Sequence, residues 1–429
     1  MNWRTTSAYL TSGCASWEPI ERLSKLPHRQ VTGQQVRDTR LSTVQFLAHS
    51  ITIVCLLVLT GCVSRPSDKP SLGGTQPLVK IGLAAPFEGL NRPSGYEALA
   101  GVKLALAERN ATGGVGGYNV ELVALNDFNE PNEARFQASE FAADPAVMGV
   151  VAGWTDETAR ASLPVYRQVG LAVAVPWSVH PGLADREAGV VLVAADVLQT
   201  VGVLAETVAG AYPSQLVVVG NEPSAAVYVE SMDSFEMKAQ LLPPPSMLDA
   251  EVSQEWADRL VSGQKQPPDT LILAIDGSLA GETLLTVADQ GWDGAAFGGV
   301  EAGSVHVVDV AGSAADGLSY VSPAPAGQDA LQIEGDLALD REGLGPRGVL
   351  AYDATNVLLD AIALAIQEDG YPSRQGVKVA LPEVRRHGLT GEIAFDATGR
   401  RVDASVWLYN IVDRSYPGRM LSPPATDGE

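Results

Sequence analysis

The sequence predicts an α/β protein built on doubly wound sheets. Three observations carry that prediction. First, short apolar runs recur: "LVKIGLAA", "VELVAL", "VMGVVAG", "LAVAVP", "VVLVA", "QLVVVG", "TLILAI" and "AAFGG". They are continuous and rich in Val, Ile, Leu and Ala, as strands buried on both faces are. Second, helical patterns lie between them, and alternation of strand and helix is the mark of a doubly wound sheet. Third, the chain has 429 residues, too many for one such sheet. No disordered linker divides residues 78–420 and no internal repeat is evident, so two lobes joined by extended crossovers are expected.

Taken in order, the first feature is the run "ITIVCLLVLTGC", which ends on Cys62. It is too short to span a bilayer. It has the length of a signal-peptide core, with Arg37 and Arg40 before it and small residues just ahead of the cysteine. That order resembles the lipobox of bacterial lipoproteins, in which the signal is cut before the cysteine and the thiol carries lipid. The polar tail "VSRPSDKPSLGGTQP" follows and reads as a tether, because it cannot bury enough apolar area to fold. Residues Met1 to Val36 are too long and too polar for an ordinary signal. Translation is therefore expected to start downstream, at a codon written here as Val or Leu. Cys14 and Cys55 precede the cut, so the mature chain keeps only Cys62, and neither a disulfide nor a thiolate metal cluster is expected.

The helices follow. "GYEALAGVKLALAERNATGG" places apolar residues at 98, 99, 102, 105 and 106, with Gly113 as a stop. "NEARFQASEFAAD" begins after Pro131, and "DETARASLPVYRQVG", "LAGETLLTVADQG" and "YDATNVLLDAIALAIQEDG" repeat the theme. Ligands of such sheets bind at the carboxyl ends of the strands. The loops there read "PFEGLNRPSGYE", "GWTDET", "PWSVHPG", "AADVLQ", "GNEPSA", "AIDGS" and "GGVEAG", a polar and aromatic set suited to a cleft.

Composition excludes several functions. The formal net charge is −22, although residues 1–61 carry six basic and three acidic side chains, so the acidic excess falls on the rest of the chain. Nucleic-acid binding needs clustered Lys and Arg to neutralise phosphates and is not expected. The sequence has no P-loop, no G-x-S-x-G elbow and no H-E-x-x-H. "TGGVGGYN" follows a helix, so it reads as a stop and a tight turn rather than a phosphate loop. "DFNEPNE" lacks the glycine and closing spacing of a calcium loop. His180, His306 and His387 have no metal-ligand spacing. No metal, no cofactor and no enzymatic activity are expected.

The stretch "VKIGLAAPFEGLNRPSGYEALAGVKLALAERNATGGVGGYNVELVALND" resembles the opening of the leucine/isoleucine/valine-binding protein family, the type I solute-binding proteins of branched-chain amino acid ABC importers. Its motif is Pro86, Gly89, then Gly95-x-Glu97-x-x-x-Gly101, then Asn110-x-x-Gly113-Gly114. "PVYRQVGLAVAVP", "AADVLQ", "AYDATNVLLDAI" and "GLTGEIAFDATGRR" extend the likeness over residues 78–415. The resemblance implies two Rossmann-like lobes, a three-strand hinge and a ligand cleft between the lobes. Residues 1–62 are then the signal and lipobox and 63–77 the tether. Lobe 1 takes 78–197 plus 323–402, and lobe 2 takes 198–322 plus 403–420.

The resemblance also implies a site. Asp196, with Gln199 keeping the family's Asp-x-x-Gln spacing, and Glu301 fall where acids hold an α-amino group. The positions that usually hold a ligand carboxylate are Asp156 and Val179 instead of Ser and Thr. An ionised Asp repels a carboxylate and Val has no donor, which shifts the expected solute from a branched-chain amino acid toward an amino compound, an amide or a cationic solute. Ala226 replaces the usual cleft tyrosine, with Tyr228 nearby, and Ser94 stands at another aromatic position. Trp154 and Trp177 offer flat faces to a ligand or a cation. The candidate ligand-binding set is Phe87, Glu88, Trp154, Thr155, Asp156, Thr158, Trp177, Ser178, Asp196, Asn221, Tyr228 and Glu301. The expected protein is a monomer anchored outside the cytoplasm by lipid on Cys62. It would close on a small solute and deliver it to ABC permease and ATPase subunits. The alternative is a sensory module of the same fold without transport.

Overall fold

The computed structural model describes residues 76–177, 179–245, 250–263, 266–326 and 344–422. Cys62, the tether up to residue 75 and Ser178 lie outside them. Two sheets organise the chain. The first holds β1 (Leu78–Ala85), β2 (Asn119–Asn126), β3 (Val147–Val151), β4 (Ala172–Val175) and β5 (Val190–Leu192). They run in the order β2-β1-β3-β4-β5, all parallel. The second holds β6 (Leu216–Gly220), β7 (Ala239–Leu242), β8 (Thr270–Ala274), β9 (Ala295–Gly298), β10 (Ser319–Ser322), β13 (Trp407–Val412) and β14 (Ser415–Ser422), in the order β14-β13-β10-β9-β8-β6-β7. Its members up to β10 are parallel, and β13 and β14 add an antiparallel hairpin at the β10 edge. A small hairpin, β11 (Arg386–Gly388) with β12 (Gly391–Ile393), stands apart.

All eight apolar runs are strands. The four further sheet strands follow a different pattern. β7 is at most half-buried, and β13 alternates buried and half-buried residues, as a hairpin strand with one wetter face does. A search for continuous apolar runs passes over both.

Helices cover each sheet on both faces. On the first sheet, α1 (Arg92–Ala111) and α9 (Pro346–Asp369) pack together on one face, and α2 (Pro131–Ala143) and α3 (Asp156–Gln168) on the other. On the second, α4 (Val197–Gly210) and α5 (Ala226–Ser234) cover one face. The other takes α6 (Ala250–Ala257), α7 (Gly277–Asp289) and α8 (Val305–Ala311). The short α10 (Arg374–Ala380) packs beside α9. Strand alternation sorts the core accordingly: Val217 and Val219 of β6 join Trp256 and Leu284, whereas Val218 joins Leu204 and Ile272. Fully buried Ile81, Leu83 and Leu204 each contribute about 1.5–3 kcal/mol by leaving water. By length and composition α9 could cross a membrane, but it is largely buried against α1 and the first sheet.

The glycine motif lets α1 pack closely, through Gly95 against the loop after β1 and through Gly101 against α9. A Cβ on Gly95 would lie 1.9 Å from the Pro86 carbonyl oxygen, and one on Gly101 would lie 1.9 Å from that of Gly348. Only hydrogen fits at either contact. Glu97, one turn before Gly101, faces the same neighbour and accepts from the first backbone N–H groups of α9. Asn110 pins the far end of α1 by two bonds to the backbone of Val120 in β2. Gly113 and Gly114 then turn the chain with φ of +99° and +78°.

Crossovers pass between the sheets after β5, after β10 and after β12. The first and third are tied together. Leu192 N–H donates to the Gly399 carbonyl at 2.9 Å, and buried Arg401 donates to the carbonyls of Val193, Thr390 and Glu392. Buried Asp353 of α9 holds the β11–β12 turn through the N–H groups of Leu389 and Thr390 and the Thr390 hydroxyl.

Candidate functional site

Three segments meet where the carboxyl ends of the two sheets face each other. Trp177 follows β4 of the first sheet, Glu301 follows β9 of the second, and Arg347 lies in the first turn of α9. The Trp177 indole N–H donates to Glu301 Oε1 at 2.5 Å. Arg347 Nη2 donates to Glu301 Oε2 at 2.9 Å. The same guanidinium lies over the Trp177 ring, 4.1 Å from its centroid. A cation held over indole gains about 0.5–2 kcal/mol, more as water is excluded.

Glu97 stands behind this cluster. Its Oε1 accepts from the backbone N–H groups of Arg347 and Gly348, at 2.9 and 3.4 Å. Burial pushes its carboxyl group up from the ordinary value, and the Arg347 charge and the two N–H donors pull the other way. Gly345 makes room for it, since a Cβ there would lie 2.0 Å from Glu97 Oε1. A carboxylate on a helix N-terminus also meets the positive end of the helix dipole. On the other side is Tyr228 of α5, whose hydroxyl lies against Gly299 in the loop that carries Glu301. Burial raises the Tyr228 phenol well above its usual range, and the Glu301 charge adds to that. The cluster therefore offers one guanidinium on an aromatic face, one partly exposed carboxylate and one neutral phenol.

Of the candidates read from sequence, Trp177, Tyr228 and Glu301 come together. Others are held by local structure. The Trp154 indole N–H donates to the Ala84 carbonyl at 2.9 Å, and the ring is buried. Thr155 and Thr158 form a capping box at the start of α3. Asp156 Oδ1 accepts from the His180 backbone N–H at 2.7 Å, and Oδ2 pairs with Arg160. Its charge is thus engaged with the β4 loop and its own helix. Asp196 differs most from the expected open ligand acid. It is 1% exposed, caps α4 through the N–H groups of Leu198 and Gln199, and pairs with Arg400 at 2.6 Å. A helix start and an arginine together satisfy both of its oxygens. Phe87 donates its N–H to Asn126 and sets its ring edge-on to Tyr96. Glu88 and Asn221 are exposed, and no described contact joins them to the cluster.

Sequence reasoning missed Arg347 and the role of Glu97. Glu97 was visible as the motif's central acid, but its partner lies 250 residues away. Arg347 carries one faint signal, a lone basic residue directly after the helix-opening Gly345-Pro346. Two surface cavities, of about 310 and 290 Å³, open beside the amino ends of β6 and β7 and around Trp292 and Gly317. Neither includes a member of this cluster. The strand carboxyl ends, where the charged and aromatic groups converge, are the more reasoned site.

The periplasmic binding protein family matches residues 78–415. The chain belongs to that family. The matched span is the one over which the sequence resembles leucine/isoleucine/valine-binding proteins. Membership implies a location outside the cytoplasm. Among curated relatives, Leu/Ile/Val-binding protein homolog 2 of Brucella abortus (strain 2308) is 28% identical over 118 residues, 27% of this chain and 32% of that protein. Amino acid binding protein of Pseudomonas aeruginosa is 29% identical over 108 residues, 25% of this chain and 29% of its own length. The matches thus span about a third of the curated relatives. Two solved structures share the fold. The branched-chain amino acid transporter substrate-binding protein LivJ of Streptococcus pneumoniae, in complex with isoleucine, has a TM-score of 0.69 at 18% identity, over 81% of this chain and 99% of that one. The leucine-binding protein LivK of Thermotoga maritima has a TM-score of 0.67 at 19% identity, over 79% and 96%.

Proposed function

We propose that this protein is a lipid-anchored binding protein of an ABC importer. It captures a small amino acid-like or amino/amide compound between its lobes by hinge closure, and it performs no chemistry on it. The lobes are those bounded above, 78–197 with 323–402 and 198–322 with 403–420. The observation that carries the reading is the meeting of Glu301 from one lobe with Trp177 and Arg347 from the other, at the carboxyl ends of both sheets. Groups from two bodies that converge on one point can be bridged by a solute, and bridging favours the closed arrangement. The names of the partial relatives support an amino acid-like solute. Attachment through Cys62 would keep the protein beside its permease.

A thermal-shift screen over amino acids, amides and amines tests the reading. A solute at 100-fold its Kd adds about 2.7 kcal/mol of stability. A flat response to the whole panel would remove it. For the anchor, Cys62→Ser should release the protein from membranes or leave it uncut, and a processed variant still found with membranes would refute lipidation.

A further inference from the structure

We propose that Arg347 is the residue that holds a carboxylate of the bound solute, with Glu301 as its internal placeholder. The inference rests on the solute-binding reading above and names the chemistry of that site.

The geometry decides which partner of the pair gives way. Arg347 Nη2 and Glu301 Oε2 are 2.9 Å apart, and their side chains are 17% and 44% exposed. A solute entering between them must displace one. Moving the guanidinium would lift it off the Trp177 face and away from Glu97 behind it. Glu301 sits on a loop with its side chain 44% exposed, so its carboxylate can return to solvent, and the Trp177 indole N–H that it gives up becomes a second donor to the incoming anion. The group that takes its place must match what Glu301 presents: a planar, anionic pair of oxygens. Guanidinium is built for that pairing, and stacking on indole leaves its edge N–H groups free to point at a partner. Glu97 does not compete, because the α9 N-terminus already holds its Oε1.

This assignment replaces the family positions that this chain lacks. Asp156 and Val179 stand where Ser and Thr are usual, which from sequence argues against a carboxylate at that place. In the structure Asp156 is occupied by the His180 N–H and by Arg160, and Arg347 supplies a cation from a different part of the chain. Once displaced, Glu301 is free to meet an ammonium, so a zwitterion would use both members of the opened pair.

The test is calorimetry of the full chain with three matched panels: the L-amino acids, their primary amides, and their deamino carboxylic acids. At least one carboxylate should bind ten-fold or more tighter than its amide. Arg347→Met should weaken that carboxylate ten-fold or more and leave the amide within two-fold. Arg347→Lys should fall between, since it keeps the charge but not the fork. Glu301→Gln should not weaken the deamino acid, because it removes a competitor. Melting curves check that each variant is folded. Amides that bind as tightly as acids, or a loss in Arg347→Met shared equally by acid and amide, would overturn the assignment and leave solute binding standing. If no member of any panel binds the wild type, the solute-binding reading itself fails and the assignment with it.

Discussion

Among the arginine–carboxylate pairs of the described residues, Asp196–Arg400 and Glu301–Arg347 differ in one respect that matters. Asp196 and Arg400 meet at the crossovers, 2.6 Å apart, with the carboxylate 1% exposed. Glu301 and Arg347 meet at the cleft, 2.9 Å apart, with the carboxylate 44% exposed. Water can replace a partner only where it can reach the charge. The first pair is therefore structural: removing one member strands a buried charge or an unsatisfied helix end. The second can open, so a solute can exchange into it.

Asp196→Ala should show the largest effect on stability. It removes the cap of α4 and the buried half of the Arg400 pair. Breaking such a pair costs about 3–5 kcal/mol, toward the lower end here because the Arg400 side chain is a third exposed. A loss of about 3 kcal/mol in urea unfolding is expected, with solute affinity within two-fold of wild type. A stable Asp196→Ala protein that has lost its solute would invert the comparison.

A third buried acid, Asp127, sharpens it. Asp127 follows β2, is fully buried, and pairs with no arginine among the described residues. Its Oδ1 accepts from the Asn129 N–H, and its Oδ2 has no partner there. Burial pushes its carboxyl group up from 3.8 to about 6. The native state thus keeps a proton that the unfolded chain releases, so this contribution is full below pH 3.8 and is lost as pH rises through about 6. The loss is up to about 3 kcal/mol, because each tenfold difference in proton affinity between the folded and unfolded chain is worth about 1.4 kcal/mol. Asp127→Asn keeps the Asn129 bond and should be more stable than wild type at pH 7. The difference between the two proteins should vanish near pH 4. An unchanging difference between pH 4 and 7 would show that Asp127 is not held protonated.

The smallest stability effects belong to the cleft pair. Arg347→Met and Glu301→Gln should each change unfolding free energy by about 1 kcal/mol or less, as exposed ion pairs do. Their effect should appear in solute selectivity instead. A loss as large as that of Asp196→Ala would mean that the cleft pair is a structural clamp too.

Legibility followed the range of the interactions. Eight of the ten parallel strands were readable as unbroken apolar runs, whereas the half-buried β7 and the Ser-flanked β10 were not. The α3 cap was not legible: Thr155 and Thr158 stand among the candidate ligand residues, because a cap and a binding loop draw on the same residue types. Asp196 raised the same ambiguity. Arg400, which resolves it, lies 204 residues away.

By itself, the sequence determined the repeated strand–helix alternation, the paired lobes and the close α1 contacts, since Gly95 and Gly101 are required wherever backbone passes backbone at 1.9 Å from a would-be Cβ. It also marked Trp177, Tyr228 and Glu301 as candidates. Only the tertiary structure decided which acid is exposed and which is paired, and it brought Arg347 into the cleft. The physical reason is that burial and charge pairing are properties of position in space. A carboxylate's role depends on whether water or an arginine reaches it, and no local pattern of residue types records which of the two the fold supplies.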